Sequence, residues 1–484
     1  METRTLFTLL DLPKAVYGTV TFSASAARLE TRAVSSVAID SREVLPGALF
    51  VALPGAVTDG HNFVTDALDR GAVAALVCED RTPPSGEWSI PVVCVPDTLI
   101  ALQQLAAWYA RSELSSVTRI GVTGSNGKTT TKEMIAAILR TAGGTSASEG
   151  NLNSETGVPL AIFATDPASR FAVFEMAMSN PGEMAPLAEI VRPQYAVITN
   201  IGTAHIGLMG TRDAIAREKK AVSACFDGSQ YLFVPEADDY TEFLRSDVAG
   251  TVVPFGPDTQ HARVDAESDP TRVFLTVDTE RYEVPFGGYH NGLNALAAIA
   301  LAKILELSPE AIRAGLSAVT LPPGRSEVLQ VAHDRVVLND SYNANPDSLE
   351  ASLHAADVLR RRRGAKETGK AGLVVVLGAM KELGEHSRDA HRRAISEACR
   401  IEPDLVCLVG GEEWDLPERE AGAVHIRTFP TVEVLQRQLL DLLVGGETIL
   451  LKGSRSIELE RLIPLLQNPE SRNPAGSRED SRDA

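Results

Sequence analysis

Residues 121–130 of this chain read Gly-Val-Thr-Gly-Ser-Asn-Gly-Lys-Thr-Thr, and they decide how the rest of the sequence is interpreted. A short run with Val117, Ile120 and Val122 leads into the glycines and predicts a strand, and apolar residues at 134, 135, 138 and 139 follow at helical spacing. Glycines in such a turn let backbone N–H groups approach phosphate oxygens, and a helix N-terminus favours negative charge. The stretch therefore predicts a strand, a phosphate-binding turn and a helix, which together form a nucleotide site.

The turn matches the pattern G-x-x-x-x-G-K-[ST] from Gly124 to Thr129 only, because the pattern needs glycine at position 122, where this chain has valine. By that pattern, Lys128 would reach the terminal phosphates of ATP and the Thr129 hydroxyl would be a ligand of Mg²⁺. The alternative is a turn that merely joins a strand to a helix, and the Gly-Lys-Thr-Thr core in this context argues against it. The predicted phosphate-binding residues are Gly124, Ser125, Asn126, Gly127, Lys128, Thr129 and Thr130.

The composition is that of a globular protein with several domains. At 484 residues the chain is too long for one core, and its hydrophobic and charged fractions, 44% and 23%, are ordinary for such a protein. A net charge of −18 argues against nucleic acid or an anionic membrane as the main partner, although local cations can still hold an anionic substrate. We therefore expect no nucleic-acid partner.

Cysteine usage and hydropathy indicate a cytoplasmic location. The five cysteines include no Cys-x-x-Cys pair, which is typical of reduced core residues. The beginning of the chain carries Glu2, Arg4 and Asp11 around a short apolar run and does not resemble a signal peptide. No uninterrupted apolar segment approaches the roughly 18 residues of a membrane span, so we expect no membrane insertion.

Strands and helices alternate along the chain, which predicts an α/β fold. Apolar runs at 171–174 and 195–199 are typical of buried parallel strands; Glu175 follows the first, and Asn200 and His205 follow the second. Because the carboxyl ends of parallel strands are where α/β sheets place ligands, these side chains are candidates to face the phosphate loop. A helix-capping glutamate and a satisfied loop histidine stay open as alternatives.

A series of short motifs follows the phosphate loop in chain order. They are Gly150-Asn-Leu-Asn153, Gly157-Val-Pro159, Pro181-Gly-Glu183, His290-Asn291, Pro323-Gly-Arg325, Asp340-Ser-Tyr-Asn-Ala-Asn345, Glu382-Leu-Gly384 and Lys452-Gly-Ser-Arg455. Through these motifs, together with the residues above, the chain resembles the Mur ligase family from end to end. The segment 340–345 is typical of the branch that adds D-alanyl-D-alanine, whereas the Asp-Asn-Pro-Arg tetrapeptide of diaminopimelate-adding relatives does not occur in this sequence.

The resemblance implies three domains. These are an N-terminal one that holds the UDP end of a substrate, a central P-loop-type ATPase with a mainly parallel sheet plus a β-rich part, and a C-terminal Rossmann-like one. We expect them at 1–115, 116–322 and 323–466, with a disordered tail at 467–484. The strand-rich residues 229–286 would form the β-rich part as an insertion or layer.

The implied reaction is an ATP-dependent amide ligation. ATP phosphorylates the free carboxylate of UDP-N-acetylmuramoyl-tripeptide, the amine of D-alanyl-D-alanine attacks the acyl phosphate, and phosphate leaves. In-line transfer between two anions demands charge neutralisation, which Lys128 and Mg²⁺ would provide. The expected cofactors are ATP and Mg²⁺, the expected partners are the two small-molecule substrates, and we expect a monomer.

The resemblance also implies a catalytic set, which consists of Lys128, Glu175, His205 and Lys219. Of these, Glu175, His205 and Lys219 would hold metal together with Thr129, and Lys219 would do so as a carbamate. On local grounds alone, Lys219 lies in a helical stretch and is one more solvated lysine. The remaining nucleotide contacts would come from Asn291 at the adenine, Asp340 at the ribose, Arg325 at the phosphates, and Asn294 and Asn343. Helix capping is the local alternative for the residues around 290–294.

Substrate contacts are expected in the first and last parts of the chain. Ser41 and Arg42, with His61 in a second polar turn, fall where the family binds uridine diphosphate, and arginine suits bidentate phosphate recognition. Ordinary turn chemistry is the alternative for both turns. The other implied substrate contacts are Asn151 and, near the dipeptide carboxylate, Ser454 and Arg455.

Three departures from the family pattern involve four positions. Gly207 stands where an acidic residue is common two after the histidine, Ser179-Asn180 stands where Asn-His is common, and Ala379 stands where Asp is common. The rival interpretations are another Mur-type amino-acid ligase, a folylpolyglutamate synthetase-like enzyme, and a non-catalytic nucleotide-binding scaffold, which would tolerate loss of Lys128 or Glu175. The sequence leaves open whether the third residue of the peptide is diaminopimelate or lysine.

Overall fold

The computed structural model describes residues 4–17, 20–22, 32–55, 58–81, 92–366, 372–414 and 424–469. Along these residues three α/β domains follow one another, as the sequence predicts. The tail predicted at 467–484 lies outside the described residues from residue 470 onward. Within the described ranges, no helix combines the length and the apolar character that a membrane span needs.

The N-terminal domain is a mainly parallel sheet with short helices. Its strands are β1 (Phe7–Thr8), β2 (Thr21–Phe22), β3 (Ala33–Val34), β4 (Ser36–Ala38), β5 (Ala48–Val51), β6 (Ala74–Cys78) and β7 (Val92–Val95), and its helices are α1 (Leu12–Ala15), α2 (Val64–Asp69) and α3 (Thr98–Ser112). The strand order is β2-β7-β6-β5-β4, with β4 to β7 parallel. The apolar side chains of β5 and β6 are buried.

A parallel sheet forms the middle of the central domain. Its strands are β8 (Thr118–Thr123), β9 (Thr145–Ala147), β10 (Phe171–Glu175), β11 (Tyr195–Ile198), β12 (Tyr231–Pro235) and β13 (Thr251–Phe255). The helices of this domain are α4 (Lys128–Arg140), α5 (Gly157–Ala164), α6 (Met184–Val191), α7 (Ile206–Met209), α8 (Arg212–Lys220), α9 (Thr241–Arg245), α10 (Tyr289–Ile304) and α11 (Pro309–Ser317). In the order β13-β12-β11-β8-β10-β9 all neighbours are parallel, so their carboxyl ends meet at one edge. The predicted strand, turn and helix are confirmed as β8, residues 124–127 and α4.

The predicted β insertion covers only the later strands of residues 229–286. β12 and β13 continue the parallel sheet, and Leu232, Phe233 and Val234 are fully buried, as expected for strands covered on both faces. A separate antiparallel sheet packs on α10 and α11. Its strands are β14 (Ala262–Asp265), β15 (Val273–Val277) and β16 (Glu280–Val284).

The C-terminal domain repeats the strand–helix alternation. Its strands are β17 (Glu327–Val331), β18 (Arg335–Asn339), β19 (Leu373–Gly378), β20 (Leu405–Val409), β21 (His425–Phe429) and β22 (Thr448–Lys452), and its helices are α12 (Pro346–Lys366), α13 (Ser387–Arg400), α14 (Val432–Leu442) and α15 (Ile463–Gln467). The order is β17-β18-β22-β19-β20-β21, and only the β17–β18 pair is antiparallel among these described strands. The ends of β18 and β22 bring two of the quoted motifs, 340–345 and 452–455, to one edge.

The N-terminal and central domains share an apolar contact through α3. This helix packs on α5 and α6. The ring centroids of Tyr109 and Phe163 are 5.5 Å apart, and those of Phe7 and Phe163 are 6.0 Å apart. Buried aromatic contacts of this kind fix the orientation of the first domain beside the central sheet.

Candidate functional site

The carboxyl edge of the central sheet opens into a large cavity of about 1200 Å³, which the C-terminal domain closes from the other side. The predicted residues that line it are Ser125, Asn126, Gly127, Lys128, Thr129, Thr130, Asn151, Glu175, His205, Asn291, Asn294, Arg325, Asp340, Asn343, Ser454 and Arg455. The predicted residues that do not line it are Ser41, Arg42, His61, Gly124 and Lys219. The structure therefore brings most of the predicted site together in one place.

The phosphate loop leaves no room for side chains at its two glycines. A Cβ atom at Gly124, where φ is +144°, would lie 1.8 Å from Oγ1 of Thr199. A Cβ atom at Gly127, where φ is +78°, would lie 2.4 Å from Oδ1 of Asn294. Both positions need glycine, because the backbone is left-handed or nearly so and a neighbour occupies the space.

Lys128 is the first residue of α4 and folds back across the loop. Its Nζ donates hydrogen bonds to the carbonyl oxygens of Gly124 and Ser125, at 2.8 and 3.1 Å. Burial lowers the pKa of Lys128, and the nearby carboxylate of Glu175 opposes that shift. A lysine side chain at the N-terminus of a helix is a strong site for phosphate oxygens.

Both carboxylate oxygens of Glu175 accept hydrogen bonds from side chains. Oγ1 of Thr129 donates to Oε2 at 2.6 Å, and Nδ2 of Asn153 donates to Oε1 at 2.7 Å. Glu175 is the last residue of β10 and is only 3% exposed, so the helix-capping alternative is excluded. A hydroxyl and a carboxylate side by side are ligands that Mg²⁺ prefers.

This donor set fits a metal that is also bound by substrate. Within the described part of the chain, no group of three or more His, Cys, Asp or Glu side chains is placed to hold a metal ion. Mg²⁺ is usually bound by one or two carboxylates together with phosphates and water. The residues present therefore fit a magnesium–nucleotide complex better than a metal held by protein alone.

His205 lies in the turn that leads into α7, with a φ of +62°. Its Nδ1 is 2.7 Å from Oε2 of Glu382, a residue of the C-terminal domain. The N–H direction is not aligned with that oxygen, so Nδ1 makes no hydrogen bond to any described residue. His205 is therefore not the satisfied loop histidine of the alternative interpretation.

Lys219 is buried, with 1% of its surface exposed, in the last turn of α8. Burial, reinforced by the charge of Lys128, holds the pKa of Lys219 well below its usual range. The neighbouring Lys220 is different, because its Nζ donates to the carbonyl oxygens of Phe243 and Ser246 at 2.8 and 2.5 Å. The solvated-lysine alternative therefore does not hold for Lys219.

Asp340 and Arg325 are held in place by neighbours of the C-terminal domain. Oδ2 of Asp340 lies 2.6 Å from Nζ of Lys452 and accepts a hydrogen bond from Oγ of Ser352 at 2.5 Å. Burial would raise the pKa of Asp340, but Lys452 and these hydrogen bonds keep it below its usual range. The guanidinium of Arg325 lies 3.8 Å from the centre of the Tyr342 ring, a cation–π contact.

The two asparagines at the start of α10 are bound to each other and to the backbone. Nδ2 of Asn291 donates to the carbonyl of Gly287 at 2.6 Å, and Nδ2 of Asn294 donates to Oδ1 of Asn291 at 3.4 Å. No side chain caps the N-terminus of α10, which begins after Gly288, so the capping alternative is excluded here.

The C-terminal domain touches the phosphate loop directly. Nδ2 of Asn345 donates to Oδ1 of Asn126 at 2.7 Å. Oδ2 of Asp347 accepts hydrogen bonds from the amide and the hydroxyl of Thr203, at 2.8 and 3.0 Å. These contacts place the segment 340–345 across the cavity from the phosphate loop.

The polar residues predicted in the N-terminal domain lie apart from this cavity. Arg42 is largely exposed and lies 2.6 Å from Asp40. Both ring nitrogens of His61 are engaged, Nδ1 with Asp59 at 2.7 Å and Nε2 with the backbone N–H of Cys78 at 2.9 Å. His61 thus joins its turn to the end of β6.

At the other end of the predicted substrate site, Ser454 and Arg455 line the cavity beside Lys381. Oγ of Ser454 accepts a hydrogen bond from the backbone N–H of Lys381 at 2.9 Å. Arg455 forms an ion pair with Glu460. Both lie on the side of the cavity that the C-terminal domain forms.

Four residues of the site were not predicted as site residues. They are Asn153, Tyr342, Asp347 and Glu382; Asn153, Tyr342 and Glu382 each contact a residue that was predicted, and Asp347 contacts Thr203. Asn153, Tyr342 and Glu382 lie inside the motifs quoted above, and this position in a motif is what could have identified them as site residues. Asp347 follows such a motif and carries no signal of its own in the sequence.

Three stretches of the chain match known protein families. Residues 33–109 match "Mur ligase family, catalytic domain", residues 122–302 match "Mur ligase middle domain", and residues 324–455 match "Mur ligase, glutamate ligase domain". Together these matches run through all three domains.

Named relatives are similar over almost the whole chain. A protein of Treponema pallidum (strain Nichols) named UDP-N-acetylmuramoyl-tripeptide–D-alanyl-D-alanine ligase is 39% identical over 447 residues, which are 90% of this chain and 94% of that protein. A crystal structure of MurF from Acinetobacter baumannii is similar with a TM-score of 0.83 at 29% identity, covering 97% of this chain and 100% of that one. The structure of MurF ligase from Thermotoga maritima in complex with ADP has a TM-score of 0.75 at 26% identity, covering 90% and 97%.

Proposed function

The chain belongs to the Mur ligase family, and we propose that it joins D-alanyl-D-alanine to UDP-N-acetylmuramoyl-tripeptide at the expense of ATP. The products are UDP-N-acetylmuramoyl-pentapeptide, ADP and phosphate, a step of peptidoglycan precursor synthesis. The observation that carries the proposal is the hydrogen bond between Asn345 and Asn126. It sets the segment typical of the dipeptide-adding branch against the phosphate loop.

The arrangement supports a mechanism in two steps. A carboxylate is a poor electrophile, so its oxygen first attacks the γ-phosphorus of ATP and the bond to ADP breaks. The dipeptide amine then attacks the acyl carbon, loses a proton, and phosphate leaves with the bond electrons. Lys128 and the N-terminus of α4 stabilise the negative charge that the first step concentrates on the phosphoryl oxygens.

The metal site is proposed at Thr129, Glu175, His205 and a carbamate on Lys219. Mg²⁺ bound there would neutralise phosphate oxygens and orient them for in-line transfer. Asn153 holds one oxygen of Glu175 and so fixes the plane of that carboxylate. The departure at Ser179-Asn180 does not disturb this pair, because both residues instead bond to Glu183.

The nucleotide contacts are proposed on both sides of the cavity. Asn291 and Asn294 would contact the adenine end, and Asp340 and Asn343 the ribose. Arg325 would reach the phosphates, since its stacking on the Tyr342 ring leaves the guanidinium N–H edges free to donate. Ser454 and Arg455 would hold the dipeptide carboxylate, and Asn151 the peptide end of the nucleotide substrate. These assignments rest on the shared cavity.

We expect phosphate release from ATP to require both UDP-N-acetylmuramoyl-tripeptide and D-alanyl-D-alanine, because acyl-phosphate formation is productive only in the closed site. The measurement is a coupled phosphate assay with each substrate omitted in turn. Running it with the diaminopimelate and the lysine forms of the tripeptide also identifies the third peptide residue. Brisk ATP hydrolysis with neither substrate, or turnover with folate substrates, would contradict the proposal.

Arg42→Ala is expected to raise the Michaelis constant for the UDP-tripeptide about tenfold and to leave that for ATP nearly unchanged. An exposed arginine beside Asp40 is free to exchange that partner for a diphosphate, and charge-assisted bonds of this kind are worth roughly 1.5 kcal/mol or more. Ser41 would contribute beside it, and His61 would act by holding its turn. Lys14→Ala, an exposed lysine of the same domain, is the control; an equal rise in both constants would point to misfolding instead.

We further propose a cytoplasmic monomer, with domain boundaries near residues 116 and 323. The boundaries are supported by the grouping of strands into separate sheets. The location is supported by the five cysteines of the sequence, which include no Cys-x-x-Cys pair.

A further inference from the structure

A loop of the C-terminal domain rests on the turn that carries His205. The backbone N–H of Gly207 donates to the carbonyl oxygen of Glu382 at 3.0 Å. On the other side of His205, the amide and the hydroxyl of Thr203 both donate to Asp347. The turn is therefore held at two points by the C-terminal domain.

Glycine at position 207 permits this close approach. A Cβ atom there would lie 2.4 Å from the backbone nitrogen of Gly384 and 2.7 Å from the carbonyl oxygen of Glu382. A Cβ atom at Gly384 would in turn lie 2.9 Å from Cα of Gly207. Any side chain at position 207 would therefore push the two loops apart.

The approach places a carboxylate beside the imidazole of His205. Oε2 of Glu382 lies 2.7 Å from Nδ1, which is a hydrogen-bond distance, although the N–H direction is not aligned. Both residues have left-handed backbones, with φ of +62° and +64°, which non-glycine residues adopt only where the surroundings enforce it. Hydrogen bonds of active sites are often misaligned before substrate binds and tighten in the complex.

We propose that Glu382 is a positioning residue for His205, delivered to the central domain when the C-terminal domain closes. A carboxylate can only accept, so it fixes the single proton of neutral imidazole on Nδ1 and leaves the lone pair on Nε2. A histidine held in this tautomer is oriented to act as a metal ligand. The inference rests on the proposed function, because it concerns the metal side of that site. Because Glu382 comes from the C-terminal domain, His205 is oriented as a metal ligand only in the closed enzyme.

The direct test is the tautomer of His205, read from ¹⁵N shifts of the full-length protein labelled at its nine histidines. Spectra are recorded with a non-hydrolysable ATP analogue, with and without Mg²⁺, and His205→Gln assigns the signal. In the wild type we expect the proton on Nδ1. Glu382→Gln should shift the signal toward a mixture of tautomers, since an amide can donate as well as accept. Gly207→Ala should do the same by separating the loops.

Glu385→Gln is the matched control, because it removes the same charge from the same loop and Glu385 is exposed. It should leave the His205 signal unchanged and turnover within twofold. Glu382→Gln should lower kcat about tenfold without raising the KM for ATP, whereas a merely structural loss would raise KM as well. An unchanged His205 signal in both Glu382→Gln and Gly207→Ala would overturn the positioning role. Absence of ligase activity in the wild type would instead overturn the proposed function.

Discussion

Replacing Lys128 by alanine is expected to lower ligase turnover by at least about a thousandfold, roughly 4 kcal/mol at 1.36 kcal/mol per tenfold. Lys128 stands at the first position of α4, and its Nζ donates hydrogen bonds to the carbonyls of Gly124 and Ser125 in the loop where we propose that phosphates bind. No other ammonium that lines the cavity comes from the central domain among the described residues. Its loss would leave the charge of the transferring phosphoryl group without its nearest cation.

The measurement is kcat for phosphate release with both substrates saturating. The fold should survive the change, because the bonds of Lys128 run only to its own loop and its burial costs free energy in the wild type. Thermal unfolding of the variant is therefore expected close to that of the wild type. Lys303→Ala, which removes an exposed lysine paired with Asp278, is the control and should be neutral. Turnover within tenfold of the wild type would refute a phosphate role for Lys128.

The elements of the fold that were predicted best are those that depend on a local pattern of apolar residues. The apolar runs at 171–174 and 195–199 become β10 and β11, because continuous apolar runs of that length suit a sheet covered on both faces. From the sequence, β12 and β13 were predicted to belong to the same β insertion as the strands that follow them, because similar turns separate all of these strands. Which sheet a strand joins depends on non-local pairing, and β12 pairs with β11.

The site was predictable as a set of residues but not as a set of contacts. Asn345 and Asn126 are 219 positions apart, and no local pattern says that they meet. The approach of Glu382 to His205 depends in the same way on how two domains close. Compared with the family pattern, Gly207 lacks the acidic side chain that is common at this position. In the structure it is the position that admits the neighbouring loop.

The burial of Lys219 could have been read from helix geometry. Ile215 lies four positions earlier in α8 and is fully buried, and residues at i and i+4 share a face. Lys220 is one step further round and reaches the surface carbonyls of Phe243 and Ser246 instead. Ala216, four positions before Lys220, is also fully buried, so what distinguishes the two neighbouring lysines is that Nζ of Lys220 reaches those carbonyls.

Lys219→Ala is expected to abolish activity almost completely, and small carboxylates such as formate or acetate should restore part of it. A buried ammonium beside a divalent cation would be repelled by about 4 kcal/mol per unit of cation charge at 4 Å and an effective dielectric near 20. Burial and the charge of Lys128 lower the pKa of Lys219, which favours the neutral amine. That amine adds to CO₂ with release of one proton, and the carbamate so formed is an anion at the same place.

Direct detection comes from ¹³C NMR with labelled bicarbonate, where the wild type should show a carbamate signal that Lys219→Ala lacks. Lys220→Ala is the matched control: it should keep the signal and turnover within about twofold, because its Nζ bonds only to carbonyl and hydroxyl oxygens at the surface. Removing CO₂ should slow the wild type, and bicarbonate should restore it. If Lys219→Ala kept wild-type turnover in bicarbonate-free buffer, the carbamate would have no part in this enzyme. In that case Thr129, Glu175 and His205 would have to hold the metal without an anion from α8.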